Sequence, residues 1–571
     1  MCRPVFLVVF SCAAAVLVAR AQQKPSIADL KTTPEASEFK STSTYDDVVK
    51  FMKAVDEASP DIHYGTYGTT SEGRAMPLAI VGTGLKDVSP ASVKASGKLR
   101  VHIQANVHAG EVEGKESALV LLREFAMGQH KDWLQSMVFL VTPIYNADGN
   151  EKFAVNNRQR QNGPINGMGT RANAQNLNIN RDYMKLDTPE ARAFVKLWVD
   201  YDPQVGFDLH TSDGSAHAYY LTYSPPLNPD TSPAIVKLMT DEWFPFITKN
   251  MKAKHGWDSF YYGNASTPGG RGGRGRGGVP AAGGAPTSPP VVVGQAATAP
   301  APAAQPAAPA GPREWRTFEH VPRFHNNYVG LRNRFALLSE AYAYATFEDR
   351  IKATNYFLEE ALTFAHQNAA RLKKTVADAD REGIHGEVLA TSAKLKRGGA
   401  VEILMGEVED EKNPVSGAVM NRRKDVVKSE QMIDMMWFEP ATTETAPFAY
   451  YVPESATKAI ELLKAHGIQM RQIPQALGAG EARGPLEWFT IASNTAGQTF
   501  EGHAIRKLEG KWGVNLDKSV PGGTWEVPLN QPLSRLAFYL LEPASDDGLV
   551  AWNALDDQLQ DAKDYPIARK K

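Results

Sequence analysis

The sequence predicts an α/β fold in which strands deliver polar side chains to one edge of a sheet. Residues 100–108 alternate between apolar and polar side chains, which is typical of a strand. Apolar residues at helical spacing, from Ala118 to Phe125, predict a helix directly afterwards. Short apolar runs at residues 137–142 and 205–212 predict two more strands. Strands that alternate with helices are typical of α/β proteins.

Two candidate metal ligands lie where the first strand gives way to its helix. His108 ends the strand, and Glu111 follows one glycine-bearing turn later. Ligands of open α/β sheets bind at this edge. A catalytic zinc usually has three protein ligands, and His210, at the end of the run 205–212, supplies a third. A single histidine is more often a structural residue, but these three together favour a zinc site.

Composition sets the scale of the protein. The chain has 571 residues, which favours two folded domains with linkers, and 43% of them are hydrophobic. The net charge of −2 implies no strongly charged partner, so nucleic acid is not an expected ligand. No feature of the sequence indicates an oligomeric state.

Residues 1–21 are typical of a secretory signal. Arg3 precedes an apolar stretch too short to span a bilayer, and a small-x-small cleavage site follows. An uncleaved anchor, or a lipoprotein attached through Cys12, are the alternatives. Both cysteines, Cys2 and Cys12, lie in this segment, so the mature chain would have no disulfide. We therefore expect export to a periplasm or the exterior, with no stable membrane anchor after cleavage.

The next segments divide the chain further. Residues 22–40 are polar and are expected to be extended, and Thr44 is expected to cap a helix. Residues 265–312 form an Arg-Gly run followed by an Ala/Pro-rich tract, which predicts a disordered insertion that loops out from the surface. Nucleic-acid binding by the Arg-Gly run is a less favoured alternative.

Residues 385–571 predict a second, β-rich domain without a catalytic constellation. A helix is expected at residues 454–466, ended by Gly467. Strands are expected at residues 487–492, 524–529 and 536–541. Packing support and substrate selection are both open as roles for this domain.

Five motifs in order carry a resemblance to a known family. They are residues 70–74 (Thr-Ser-Glu-Gly-Arg), 108–111 (His-Ala-Gly-Glu), 146–149 (Asn-Ala-Asp-Gly), 178–181 (Asn-Ile-Asn-Arg) and 335–340 (Phe-Ala-Leu-Leu-Ser-Glu). On these motifs the chain resembles the zinc carboxypeptidases (carboxypeptidase A-like metallopeptidases), as an exported, bacterial-type member. The resemblance assigns residues 41–375 to a catalytic domain that the 265–312 insertion interrupts. It implies a mixed central sheet flanked by helices on both faces and one Zn²⁺ per chain.

The resemblance also implies roles for residues in the chemistry. Glu340, at the end of a predicted strand, would be the general base that takes a proton from water and passes it to the leaving amine. A zinc ion held by the three ligands would act as a Lewis acid and acidify water. Arg158 is the expected cation for the oxyanion, with Arg160 as runner-up. The family's Trp-Arg-Lys run is absent here, so the choice between the two stays open.

Further residues would hold the substrate. Asn180 and Arg181 match the family's pair that binds the terminal carboxylate, and Tyr328 is a candidate for its mobile tyrosine. Asn178 stands where digestive members have an aspartate that supports a zinc-bound histidine, and Asp208 is an alternative second support.

We therefore expect an exported zinc metallocarboxypeptidase that acts on peptides with a free C-terminal carboxylate. A zinc amidohydrolase of the same fold, acting on cell-wall peptides, acylated amino acids or internal peptide bonds, is the alternative. A catalytically inactive binding protein on this fold is a third hypothesis.

Overall fold

The structure is a computed structural model that describes residues 26–212, 214–266, 311–477 and 485–571. The predicted signal segment and almost all of the predicted insertion lie outside the described residues. Within the described ranges, none of the helices combines the length and the apolar character that crossing a bilayer requires.

Eight strands of the first part of the chain form a central sheet, and two more, at Asn264–Ser266 and Glu314–Arg316, belong to a separate sheet that includes later strands. In chain order they are β1 (Ile62–Thr69), β2 (Ala75–Val81), β3 (Leu99–Ala105), β4 (Met137–Thr142), β5 (Val205–Ser212), β6 (Leu221–Ser224), β7 (Ser259–Tyr261), β8 (Asn264–Ser266), β9 (Glu314–Arg316) and β10 (Phe335–Tyr342). The central sheet has eight strands in the order β1-β2-β4-β3-β5-β10-β6-β7. Strands β4, β3, β5 and β10 are mutually parallel. Strand β1 is antiparallel to β2, β2 to β4 and β6 to β10, whereas β7 is parallel to β6.

Helices cover both faces of this sheet, which confirms the predicted fold class. In chain order, the α-helices of all the described residues are α1 (Thr33–Ala36), α2 (Tyr45–Ala58), α3 (Pro90–Ala95), α4 (Glu113–Ala126), α5 (Trp133–Ser136), α6 (Ala147–Asn150), α7 (Pro189–Tyr201), α8 (Pro233–Leu238), α9 (Phe244–His255), α10 (His325–Leu331), α11 (Phe347–Gln367), α12 (Ala369–Arg381), α13 (Thr457–Ala465), α14 (Ser534–Leu541) and α15 (Asp556–Leu559). On β4, Phe139 and Val141 pack with α2, α4, α9 and α11, whereas Val138 and Leu140 pack with α7 on the opposite face.

The described part of the segment before α2 contains two short helical elements, so residues 26–40 are not extended throughout as expected. A 3₁₀ turn spans Ile27–Asp29, and α1 follows with a capping box formed by Thr32 and Glu35. Arg123 of α4 also binds both carboxylate oxygens of Glu35, at 2.6 and 2.7 Å. Helix α2 begins after Thr44, as expected, because the Thr44 side chain accepts the Asp47 N–H.

The remaining strands confirm a β-rich C-terminal region. They are β11 (Val388–Lys396), β12 (Ala400–Met405), β13 (Val408–Lys412), β14 (Val419–Arg423), β15 (Lys428–Met435), β16 (Trp437–Thr445), β17 (Ala449–Val452), β18 (Arg471–Gln472), β19 (Leu486–Phe500), β20 (His503–Val514), β21 (Trp525–Pro528) and β22 (Ala568–Lys570). Strands β18, β21, β17, β22, β19 and β20 form a six-stranded sheet in that order. The strand expected at residues 536–541 is instead helix α14; all eight of its residues are buried, so no periodicity revealed the helix.

The C-terminal region and the central sheet share one hydrophobic core. Trp198 of α7 and Tyr328 of α10 belong to the same buried cluster as Leu462 of α13 and Phe538 of α14. Strand β9, which pairs with β8 on the other side of the undescribed segment, also pairs with β15. The two parts of the chain are therefore joined by packing and by backbone hydrogen bonds.

A buried carboxyl at this junction predicts a pH-dependent stability. Asp230 accepts the Ala390 N–H at 2.8 Å, and burial raises its pKa from 3.8 to about 7. Because the folded state holds this proton more tightly than the unfolded state, the contribution to stability is full below about pH 4 and is lost as the pH rises towards 7. In the wild type, the free energy of unfolding should fall between pH 5 and 8 as Asp230 loses its proton. Asp230→Asn should make this fall smaller by roughly 2 kcal/mol. Urea unfolding at the two pH values measures this; an equal fall in both proteins would contradict it.

Candidate metal centre and active site

A tight turn after β3 brings His108 and Glu111 together. Asn106 takes a left-handed conformation (φ 59°), and the Glu111 N–H donates to the His108 carbonyl at 2.8 Å. Position 110 must be glycine, because a Cβ there would lie 2.7 Å from Arg158 Cγ and 2.9 Å from the Gly169 carbonyl oxygen. The turn is therefore fixed by close backbone packing as well as by its hydrogen bond.

The third candidate ligand comes from the neighbouring parallel strand. Strands β3 and β5 pair in parallel, so their carboxyl ends reach the same edge, and His210 lies near that end of β5. His108 Nδ1 lies 3.0 Å from Glu111 Oε1, and His210 Nδ1 lies 2.8 Å from Glu111 Oε2. The ligand atoms of all three residues lie within 4.8 Å of one another, and all three side chains are buried.

Each imidazole contacts a second polar side chain through its Nε2 atom. His108 Nε2 lies 3.1 Å from Asn178 Oδ1, and His210 Nε2 lies 2.8 Å from Asp208 Oδ2. The Gln104 amide donates to the other Asp208 oxygen at 3.3 Å. These contacts leave both Nδ1 atoms facing the same point, which is the arrangement that orients metal-ligating histidines.

The donor set fits zinc. Two imidazole nitrogens and one carboxylate form a standard catalytic zinc ligand set. Burial, and then the Arg171 charge, lower the pKa of His108 to about 3, so this ring is neutral, as a ligand must be. Burial favours the neutral form of Glu111, but His108 and Arg158 outweigh it and hold its pKa well below the ordinary value. The carboxylate is therefore ionised and ready to bind a cation.

One further group among the described residues has ligand atoms close enough to share a metal ion. It consists of His255, Glu359 and Glu360, between the end of α9 and the middle of α11. Lys254 Nζ already donates to both oxygens of Glu360, at 2.8 and 3.0 Å. This ammonium neutralises the buried carboxylate, so the group is the weaker candidate for a metal.

Glu340 reaches the edge of the sheet where the three ligands meet. It lies in β10, which pairs in parallel with β5, and His210 is its register partner. Side chains of paired residues in adjacent strands extend from the same face of a sheet. The Glu340 side chain is partly exposed, so it is accessible at the edge of the buried group.

The arginines separate into different environments. The Arg158 guanidinium donates to Glu111 Oε1 at 2.8 Å, to the Thr211 carbonyl at 3.0 Å and to Gln161 at 3.0 Å. These contacts tie a candidate ligand to two loops, which argues for a structural role rather than the predicted catalytic one. Arg160 instead contacts Asp410 and Asn421 of the β13–β14 hairpin, so the structure does not bring it to the ligand group.

Arg171 is the site residue that the sequence reasoning missed. Its guanidinium lies 3.5 Å from Glu111 Oε1, and its charge lowers the pKa of both His108 and Arg181. It therefore lies close to one metal ligand and acts electrostatically on the predicted carboxylate clamp. Arg171 belongs to none of the five motifs, so nothing in the sequence distinguished it from the other arginines.

The predicted carboxylate clamp forms a short turn beside His108. Residues Ile179–Arg181 make a 3₁₀ turn, in which Asn178 Oδ1 accepts the Asn180 N–H at 3.1 Å. Arg181 lies over the Phe324 ring, 3.8 Å from its centroid. Burial, and next the Arg171 charge, lower the pKa of Arg181 to about 9, although Glu319 and Glu501 act in the opposite direction. The guanidinium is therefore still a cation at neutral pH.

Tyr328 does not fit the role of a mobile tyrosine. It is fully buried in α10, its hydroxyl lies 2.9 Å from His466 Nδ1, and it accepts a hydrogen bond from Arg332 at 3.0 Å. His466 follows α13, so these contacts join α10 to the C-terminal region. Tyr328 is close to Glu340 in the sequence, but helix α10 places its side chain in the shared core.

Part of the chain is similar in sequence to known carboxypeptidases. Residues 48–235 match the family model described as zinc carboxypeptidase. The chain is 24% identical over 544 residues to "Carboxypeptidase 2" of Trichophyton rubrum, covering 91% of this chain and 85% of that protein. It is 30% identical over 195 residues to "Probable carboxypeptidase 2" of Trichophyton verrucosum, covering 33% of this chain and 34% of that protein. A metallo-carboxypeptidase structure from Burkholderia cenocepacia is similar with a TM-score of 0.37 and 17% identity, covering 57% of this chain and 70% of that one.

The site and the family match together support a zinc metallopeptidase. More narrowly, residues 48–235 are similar to the zinc carboxypeptidases.

Removal of one ligand tests the metal centre. The wild type should hold close to one zinc per chain, and His210→Ala should hold less than about 0.2, because two protein ligands bind zinc much more weakly than three. The matched control is His255→Ala, which alters the second group and should keep the wild-type zinc content. Elemental analysis after dialysis measures both. Loss of zinc from His255→Ala with retention in His210→Ala would reverse the assignment.

Proposed function

We propose that this protein is an exported zinc metallocarboxypeptidase, which hydrolyses the last peptide bond of substrates that carry a free C-terminal carboxylate. The observation that carries the proposal is that one residue, Asn178, joins the candidate metal ligands to the predicted carboxylate clamp. Asn178 contacts the candidate ligand His108 and begins the turn that presents Asn180 and Arg181. A substrate carboxylate bound at Arg181 would therefore place its last peptide bond close to the metal ligands. The names of the fungal relatives support this activity, and the predicted signal segment supports export.

The residues of the chain divide the chemistry between them. A zinc ion held by His108, Glu111 and His210 would supply a Lewis acid for the scissile carbonyl and would acidify water. Glu340, beside His210 at the sheet edge, would take the proton from the attacking water and deliver it to the leaving amine. The carboxylate thus acts first as a base and then as an acid.

We assign the oxyanion cation to Arg171 in place of Arg158. Arg158 is bound to Glu111, Gln161 and the Thr211 carbonyl, and only 11% of its side chain is exposed. Arg171 is 29% exposed, lies 3.5 Å from Glu111 Oε1 and acts electrostatically on Arg181. A guanidinium in that position would stabilise charge that develops on the scissile carbonyl oxygen.

The terminal carboxylate would be recognised by Arg181 with help from Asn180. A guanidinium binds a carboxylate through two parallel hydrogen bonds, which favours a free acid over an amide. Arg171 and Arg323 add positive charge near Arg181, and Glu319 and Glu501 add negative charge. The Arg181 guanidinium itself is the reason to expect an exopeptidase rather than an enzyme that cleaves inside chains.

A panel of matched peptides tests this function. Peptides with free C-termini should lose single C-terminal residues, their C-terminal amides should stay intact, and a chelator should stop the reaction. Glu340→Gln should lower kcat by roughly 10³-fold while zinc content stays unchanged, because it removes the base but not a ligand. Mass spectrometry of the products measures both effects. Internal or amide-tolerant cleavage would favour another amide hydrolase, and full activity of Glu340→Gln would remove the assigned base.

The two arginines give a paired test. Arg171→Gln should lower kcat by roughly 10²-fold with a smaller change in KM, because the cation acts on charge that develops in the transition state. Arg158→Gln should instead lower zinc affinity, because Arg158 supports Glu111. Steady-state kinetics and chelator competition on both variants separate the two roles. The reverse pattern would restore the original assignment to Arg158.

A further inference from the structure

The long β19–β20 hairpin of the C-terminal region ends against the predicted substrate site. Its tip, Glu501–Gly502, turns with positive φ angles of 47° and 84°. Glu501 Oε2 accepts the Asn178 N–H at 2.9 Å. Asn178 is the residue whose side chain contacts His108 and whose chain continues into the clamp turn. A single hydrogen bond thus links the hairpin to both halves of the site.

A second contact holds the same loop from its other end. His503 Nε2 lies 2.7 Å from Asp187 Oδ2, on the far side of the tip from Glu501. Asp187 is tied to Lys185 at 2.8 Å, and Lys185 donates to Asp182 at 2.9 Å. The hairpin therefore contacts the segment from Asn178 to Asp187 at two points, through the side chains of Glu501 and His503.

The tip also places a negative charge near Arg181 of the predicted carboxylate clamp. The Glu501 carboxylate acts electrostatically on Arg181, as do Arg171 and Arg323. Phe500 lies beside Arg323, whose guanidinium carbon is 5.3 Å from the ring centroid. Residues of the hairpin are thus neighbours of the cations that would receive a substrate carboxylate.

We propose that the β19–β20 hairpin is part of the active site and that Glu501 is a positioning residue, which fixes the Asn178–Arg181 turn for recognition of the substrate carboxylate. The inference rests on the proposed carboxypeptidase function and gives the C-terminal region a part in it. Glu501 would act through Asn178 and Arg181 and would not touch the scissile bond. Loss of its hydrogen bond would loosen the turn and weaken binding of the substrate more than the chemical step.

Three variants test the proposal on the full-length zinc enzyme. Glu501→Ala removes the acceptor and should raise KM for free-acid peptides roughly tenfold, with kcat within about threefold of wild type. Glu501→Gln keeps an acceptor for the Asn178 N–H and should return KM to within about threefold of wild type. The matched control is Glu509→Gln, an exposed carboxylate on β20 that pairs with Lys507; its KM should be unchanged. The preference for free acids over amides should fall in the alanine variant only.

A readout independent of turnover separates this inference from the proposed function. Because Asn178 supports His108, Glu501→Ala should also weaken zinc binding by roughly threefold or more in competition with a chelator. His503→Ala, which releases the other end of the loop, should raise KM in the same direction. Unchanged KM and unchanged zinc affinity in Glu501→Ala would show that the hairpin only packs against the domain. Absence of C-terminal cleavage by the wild type would overturn the proposed function, and zinc affinity would then decide the role of Glu501 alone.

Discussion

The structure of the site depends on the two oxygens of one buried carboxylate, each facing an imidazole nitrogen. Glu111 Oε1 and Oε2 lie 3.0 and 2.8 Å from the Nδ1 atoms of His108 and His210. A buried carboxylate is costly unless it is paired, and here imidazoles and the Arg158 guanidinium supply the partners. Two consequences follow: the β3 turn must be tight enough to place Glu111, and β5 must lie parallel to β3 so that His210 reaches the same edge.

The supports behind the two histidines differ in chemistry. His210 is backed by the carboxylate of Asp208, whereas His108 is backed by the amide of Asn178. A carboxylate raises the basicity of an imidazole more than an amide does. The pKa of His210 is accordingly raised well above its ordinary value by Asp208 although burial opposes this, and the pKa of His108 is lowered. The centre is therefore asymmetric, with the more basic ligand on the sheet strand and the less basic ligand on the turn.

Asn178 also connects this centre to the rest of the protein. Its side chain contacts His108, its backbone contacts Glu501, and the clamp turn begins from it. The C-terminal region reaches the site only because it shares a core with α7 and α10, which holds the base of the hairpin in place. A region that looked like a separate accessory domain in the sequence is in this way coupled to the catalytic edge of the sheet.

The sequence by itself determined the features that depend on residues close together along the chain, such as strands, helix caps and short motifs. Alternation predicted β3 and the cap at Thr44 predicted α2. The motifs supplied His108, Glu111 and Glu340, and the apolar run 205–212 supplied His210. The structure places His108 and Glu111 three and six residues beyond the end of β3, in the turn that follows it. Tertiary structure alone decided what depends on contacts between distant residues. The contact of Arg158 with Glu111, the contact of Arg160 with Asp410 and the burial of Tyr328 in the shared core depend on packing of loops and helices that sequence spacing does not encode. The contact of Glu501 with Asn178, 323 positions apart, was beyond any local pattern. Short-range geometry is fixed by bonds along the chain, whereas these contacts are fixed only when the sheet and the shared core have formed.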